Sequence, residues 1–429
     1  MQDFDQESQL SHREQKLIGT PSSSIQYLVK PSGEYSVGYQ KSKELNATVY
    51  YPSLEKIDSG SPSKLAEKVK LDIKGCQPQG GQVDVSEEDL ESLDSVRTYS
   101  KEGLVVVPNQ MFPVIIFSPG TGGIAGHYEN TISDLASRGY IVIARDNIHN
   151  PDLHASPEAS EKEPKEVLSE IISIRQSLSQ LSKENPIYAS MQIDQVGLLG
   201  HSMGGSVSIL AAQQHPNLFQ GVAALDARVD VGVDSWDIRR EVKIPSLQMH
   251  ATTWKLNYSG QAPDTPFYFN QNTTHILLGT DESDKYYSCH NNFKDNSTLQ
   301  THLAAQAFEQ FLIGMQKQDP GIFGNLDIRT PIQTGTINGV EASKTVAECV
   351  GQFFDTSLKK KVTPIFSKDQ PLKNTMVTRG DYVELPEIKP LQASSHFGSA
   401  MFTPEKKKSS EETSGKTFQE PPCPEIPNF

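Results

Sequence analysis

Basic residues are in the minority in this chain: 39 Lys and Arg stand against 53 Asp and Glu, a formal net charge of −14 over 429 residues. With no basic stripe to offset that excess, a nucleic-acid partner is not expected, and purely electrostatic docking on an anionic membrane is disfavoured. No apolar run is long enough to span a bilayer. The first residues, MQDFDQESQLSHREQK, lack a basic segment followed by an apolar one, so no Sec-type signal peptide is visible. A cytoplasmic protein, or one exported without such a signal, is the expectation. Cysteine is scarce. Cys76, Cys289, Cys349 and Cys423 show no metal-ligand spacing and are too few for a disulfide framework; ordinary thiols are expected, with a Cys289–Cys349 pair left open. No Gly-x-x-x-x-Gly-Lys loop occurs, so no phosphate cradle is implied. Neither a metal nor an organic cofactor is expected.

What is present is a regular alternation of apolar runs with amphipathic stretches. Residues 1–30 read as a polar lead-in. Leu45 to Pro52 reads as a strand, since Thr48, Val49, Tyr50 and Tyr51 favour extended backbone and Pro52 ends the run. Residues 54–103 read as a polar surface insertion with a short helix near Leu65 to Val69. Pro113-Val114-Ile115-Ile116-Phe117 is apolar throughout, as a strand buried on both faces requires. A helix with Ile132, Leu135 and Ala136 on one face stops at Gly139, and Tyr140 to Ala144 is the next strand. Residues 165–183 carry a helical stripe of Val167, Leu168, Ile171, Ile172, Leu178 and Leu181. Further strands are expected at 196–199, 222–225, 246–249 and 275–278, with helices at 299–314 and 341–358. Strands alternating with helices predict an α/β fold with a mainly parallel sheet and helices on both faces. The core of that fold is expected within 31–318, followed by a C-terminal extension at 319–395. A Ser-, Lys-, Glu- and Pro-rich disordered tail is expected at 396–429.

One stretch carries chemistry. Gly200-His201-Ser202-Met203-Gly204-Gly205 lies between the apolar run Val196 to Leu199 and the apolar helical run Ser206 to Ala212. Strand, Gly-x-Ser-x-Gly turn and helix make a nucleophile elbow of the α/β-hydrolase type. Such a serine needs a base and a carboxylate to hold the base, following it in the order Ser, Asp or Glu, His. The next strand ends in Ala224-Leu225-Asp226, which puts Asp226 at the right sheet edge; Asp230 and Asp234 are the fallbacks. His290, in a loop past the last strand, is the candidate base. His250 at a strand end is its rival, His302 falls inside a helix, and His201 is expected to point away from the reacting centre. The oxyanion hole needs two backbone N–H groups: Met203, directly after the nucleophile, and Thr121 in Ser118-Pro119-Gly120-Thr121-Gly122-Gly123.

At these residues the chain resembles the platelet-activating-factor acetylhydrolase family of sn-2-specific serine phospholipases. The stretches Gly33 to Tyr39, Phe112 to Ser118, Asp134 to Val142, Gly200 to Gly205, Ala224 to Ala227 and Cys289 to Phe293 resemble the family's "PYSVG", oxyanion-strand, "DLASHGFIV", elbow, "ALDA" and "HQNF" segments. The resemblance covers roughly residues 31 to 314. It implies Asp226 as the acid and His290 as the base. One departure is Pro119-Gly120 where that family has His-Gly. Ser-Pro-Gly together with Gly-His-Ser-Met-Gly-Gly resembles bacterial cutinases and polyester hydrolases instead, which take their acid from the following strand end, where this chain has none.

The expected activity is hydrolysis of a carboxylic ester by Ser202, Asp226 and His290, with Met203 and Thr121 as oxyanion donors. The resemblance implies the short or oxidised sn-2 acyl chain of a glycerophospholipid as substrate. A general carboxylesterase or polyester hydrolase is one alternative, and a non-catalytic binding protein on the same fold is another. Expected partners are a lipid or small ester, with transient contact at a membrane surface allowed; the oligomeric state is open. The tail's Lys406 to Glu412 resembles glutamate-containing C-terminal export signals.

Overall fold

The structure is a computed structural model. It describes residues 26–57, 63–65, 96–121, 123–147, 157–181, 183–227, 241–251, 273–279, 288, 290–295, 337–361 and 375–379. All of them fall in one unit, Met1–Pro386.

The strands are β1 (Gln26–Tyr27), β2 (Ser36–Ser42), β3 (Ala47–Ser53), β4 (Val96–Arg97), β5 (Ser100–Glu102), β6 (Phe112–Ser118), β7 (Ile141–Ala144), β8 (Met191–His201), β9 (Gly221–Leu225), β10 (Ser246–Ala251), β11 (Thr273–Leu278) and β12 (Thr375–Arg379). The helices are α1 (Glu129–Ser137), α2 (Pro157–Ser177), α3 (Pro186–Ala189), α4 (Met203–Gln214) and α5 (Gly339–Ser357). Ten strands form one sheet in the order β12-β11-β10-β9-β8-β6-β7-β3-β2-β5. From β11 to β7 neighbouring strands run parallel. β3 and β12 join antiparallel at the two flanks of that parallel block.

The period of two along a strand explains the continuous apolar runs. On β6, Val114 and Ile116 face one layer, with α2 and α4 residues such as Ile171 and Val207. Ile115 and Phe117 face the other, with Ile132 and Leu135 of α1 and Val346 and Phe354 of α5. Both layers are buried, so both faces must be apolar. The architecture is the mainly parallel sheet with helices on both faces that the sequence predicts.

Parts of two stretches set apart in the sequence pack against the main sheet. The region read as a surface insertion, 54–103, ends in chain that belongs to the fold: β5 pairs with β2 in the main sheet, and Val96, Thr98 and Ser100 are fully buried. Short polar residues hid this, because Thr98 and Ser100 are buried through hydrogen bonds rather than apolar area. The region read as a C-terminal extension supplies α5 and β12 to the core. α5 is capped by Asn338, whose side chain accepts from Val340 and Glu341 N–H at 3.0 and 3.2 Å. Its buried stripe of Val346, Val350, Phe353 and Phe354 covers the sheet. The short helix expected beyond Leu65 and the helix expected at 299–314 lie outside the described residues. Cys349 is buried in α5 as a free thiol; Cys289 lies outside the described residues.

Candidate active site

The strand order reverses at β6, whose neighbours are β7 on one side and β8 on the other. Loops leaving the C-terminal ends of β6 and β8 therefore meet across a crevice, where open α/β sheets place their ligands. Ser118 of β6 lies opposite Gly200 of β8.

Ser202 sits between β8 and α4 with φ 55 and ψ −125, a strained conformation for a residue with a Cβ. The sharpness of the turn explains its glycines. A Cβ on Gly200 would stand 2.3 Å from the Gly204 carbonyl oxygen, and one on Gly204 would stand 2.2 Å from that of Pro119. Ser202 N–H donates to the Leu225 carbonyl at 2.9 Å, anchoring the turn to the end of β9.

Asp226 follows β9 directly, with φ 45 and its side chain 1% exposed. Its N–H donates to the Met249 carbonyl at 2.7 Å. Oδ1 accepts the Ala251 N–H at 2.8 Å, and Oδ2 accepts from Nδ1 of His290 at 2.6 Å. The structure thus brings Asp226 together with His290 and ties the carboxylate to the end of β10. His250, the rival base, is buried and stacked on His275 with ring centroids 5.8 Å apart. Burial pushes its pKa down to about 4, against a smaller opposing pull from Asp226. Asp230, Asp234 and His302 lie outside the described residues.

The loop after β6 passes against the nucleophile: a Cβ on Gly120 would come within 3.0 Å of Ser202 Cβ and 3.5 Å of its Oγ. Gly120 N–H points to the Tyr128 hydroxyl at 3.4 Å, and Gly123 N–H donates to the Gly120 carbonyl at 2.9 Å. Thr121 lies between them in the turn. Met203 N–H is at the first position of α4, where a helix has no acceptor of its own to offer.

Three residues that sequence reasoning missed shape this loop. Asn147 braces it from behind: its side-chain amide donates to the Pro119 and Gly120 carbonyls at 2.6 and 3.2 Å, and its own N–H to the Gly123 carbonyl at 2.8 Å. Arg145 donates to Ser118 Oγ at 3.2 Å, bonds the Asn147 side-chain carbonyl and pairs with Glu170. Burial lowers its pKa to about 10, which leaves it charged at neutral pH. The third is Tyr128, whose hydroxyl meets Nδ1 of His201 at 2.9 Å. The only sequence signal was the polar Arg145-Asp146-Asn147 run directly after a buried strand.

His201 departs from expectation. Its ring packs on His290 with centroids 4.4 Å apart, and Nε2 meets the His290 carbonyl at 3.2 Å. Tyr128, at 5.5 Å between ring centroids, holds the other side of the ring. Among the described residues, no group of three His, Cys, Asp or Glu side chains is arranged to hold a metal ion.

Comparison with known proteins agrees with this architecture. A chlorophyllase family model matches residues 78–243, under half of the chain; the stretch includes Ser202 and Asp226 and ends before His290. A monoglyceride lipase homolog of Monkeypox virus is 26% identical over 120 residues, which are 27% of this chain and 39% of that protein. The chain thus spans well under half the length of that curated relative. A solved ferulic acid esterase from Streptomyces cinnamoneus superposes with a TM-score of 0.54 at 17% identity, covering 83% of this chain and 100% of that one. The fold is that of the α/β-hydrolases.

Proposed function

We propose that this chain is a carboxylic ester hydrolase acting through Ser202, His290 and Asp226. The observations that carry the reading are the 2.6 Å contact between His290 Nδ1 and a buried Asp226, and a serine held at φ 55 on an elbow, its N–H bonded to the residue before that aspartate. With Nδ1–H given to the carboxylate, the imidazole keeps Nε2 for the serine proton. Ser202 Oγ attacks the ester carbonyl as Nε2 takes its proton. The N–H groups of Met203 and Thr121 receive the developing oxyanion. Protonated His290 then returns the proton to the leaving alcohol, and water repeats the sequence on the acyl-enzyme. Asp226 holds the ring in the productive tautomer, and Ala251 N–H occupies its second oxygen. The names of the matched family and proteins, which point to different esters, support this coarse reading.

For the substrate we favour a short or oxidised sn-2 acyl chain of a glycerophospholipid. The support is the placement of the acid directly after β9, where the acetylhydrolase-like segment Ala224 to Ala227 puts it. The end of β10 supplies the Ala251 backbone amide to that acid. Pro119-Gly120 favours the second reading, a general carboxylesterase or polyester hydrolase. Release of acetate from an sn-2-acetyl glycerophospholipid, measured beside p-nitrophenyl esters and a polyester film, separates the two. Loss of phospholipid turnover in Ser202→Ala supports the first reading. Turnover of simple esters alone supports the second, and no serine-dependent turnover of any ester would overturn both.

A further inference from the structure

We propose that Tyr128 and His201 are positioning residues, a hydrogen-bonded strut running from the Tyr128 hydroxyl through the His201 ring to the main-chain carbonyl of His290 and so fixing the base relative to Ser202. This rests on the esterase reading above.

Proton assignment follows from the partners. A carbonyl oxygen only accepts, so the 3.2 Å contact between His201 Nε2 and the His290 carbonyl requires the proton on Nε2. His201 is fully buried, and desolvation first, then the neighbouring His290, push its pKa well below the usual value. A neutral ring with Nε2–H has a bare Nδ1, and that nitrogen accepts the Tyr128 O–H at 2.9 Å. The Tyr128 oxygen in turn faces Gly120 N–H at 3.4 Å. Were the proton on Nδ1 instead, the Nε2 lone pair would oppose the His290 carbonyl. The His290 carbonyl therefore sets the tautomer, and the Tyr128 hydroxyl, able to donate or accept, completes it by donating to Nδ1.

The strut stands where the base needs support. The His290 side chain is 32% exposed, so burial alone does not fix its ring. Asp226 holds the ring by Nδ1. His201 holds the main chain and is joined by a single peptide bond to Ser202. A second tie, Asp295 N–H to the His127 carbonyl at 2.8 Å, anchors the far end of the 3-10 turn His290–Phe293 against the segment bearing Tyr128. Nucleophile, base and oxyanion loop are thereby linked through one pair of side chains.

The full chain tests this with three variants, Tyr128→Phe, His201→Gln and His201→Leu, read by kcat and KM on p-nitrophenyl acetate, by fluorophosphonate inactivation rate and by thermal unfolding. A glutamine can accept from Tyr128 through Oε1 and donate to the His290 carbonyl through Nε2; a leucine can do neither. His201→Leu is expected to lose roughly 10²-fold in kcat at near-constant KM, the scale of a misplaced catalytic group. His201→Gln should recover most of that loss. Histidine ¹⁵N spectra should show His201 neutral and Nε2-protonated at about pH 7 in the wild type, and still Nε2-protonated in Tyr128→Phe, where the His290 carbonyl continues to set the tautomer. Equal kcat losses for Gln and Leu, tracking stability, would overturn the strut in favour of simple packing. So would a wild-type His201 carrying its proton on Nδ1. A wild type inert to fluorophosphonate would instead count against the esterase reading, while the tautomer spectra would still decide the strut.

Discussion

The two edges of the sheet differ in the polar groups they gather. At the C-terminal edge, Ser202 and Asp226 hold positive φ without being glycine, and His127, His201, His250 and Asp226 are buried. Each feature costs stability, of order 1–3 kcal/mol for a strained backbone. At the N-terminal edge, Arg138 bridges α1 and α5. It bonds Asp134 at 2.7 Å, pairs with Glu348 and approaches Asp355 at 3.9 Å. Lys359 donates to the Arg138 carbonyl at 2.5 Å and lies 3.8 Å from the Tyr140 ring centroid. A polar cleft of about 440 Å³ opens there, lined by Tyr35, Gln110, Arg138 and Lys359 among others. Both edges carry positive-φ residues, Asn109 and Lys360 among them at the N-terminal one; the difference is that the buried histidines and the Asp226 carboxylate sit at the edge given to chemistry, while the Arg138 ion-pair cluster sits at the other.

That contrast can be broken from either side. The largest effect is expected at Asp226. Asp226→Asn leaves the size unchanged but favours the wrong His290 tautomer, and kcat should fall on the order of 10⁴-fold with little change in melting temperature. Gly204→Ala comes next. The added methyl would collide with the Pro119 and Ser118 carbonyls, pushing the oxyanion loop off the nucleophile. A loss of about 10²-fold in kcat is expected where the protein still folds, as judged by its circular dichroism. At the other edge, Arg138→Met should leave kcat/KM on p-nitrophenyl acetate intact. It should lower stability in urea by about 2 kcal/mol, because Asp134 and Asp355 lose a partly buried cation.

The smallest effect is a pH dependence. Burial first, then the nearby Lys294, lowers the His127 pKa to about 3. Above pH ~6.5 the residue is neutral folded or unfolded and makes no difference. Below it the unfolded chain takes up a proton that the folded one refuses, so stability falls as pH drops towards 3 and levels off beyond. His127→Phe should reduce that acid-side slope by about 1 kcal/mol per pH unit between pH 6 and 4. An unchanged slope would remove His127 from the set of buried neutral histidines.

Local signals made the sheet and the elbow legible in the sequence. Apolar runs at 113–117 and 222–225, and the glycines flanking Ser202, report on their own surroundings. The acid was legible because it follows its strand immediately. Tyr128, Asn147 and Arg145 were not, because their roles arise from contacts across the fold: Tyr128 meets a histidine 73 residues away, and Asn147 reaches back to carbonyls 27 and 28 residues earlier. His201 was misjudged for the same reason, since nothing near it in sequence records that His290 folds over its ring. The sheet-edge strand β5 escaped notice because its residues are polar.

The most direct test of the central claim is mass spectrometry of the full chain after fluorophosphonate treatment, with the modified peptide sequenced in the wild type and in Asp226→Asn. The account expects one adduct, on Ser202, forming quickly in the wild type and far more slowly in the variant. An adduct on another residue, or equal rates in both proteins, would contradict it.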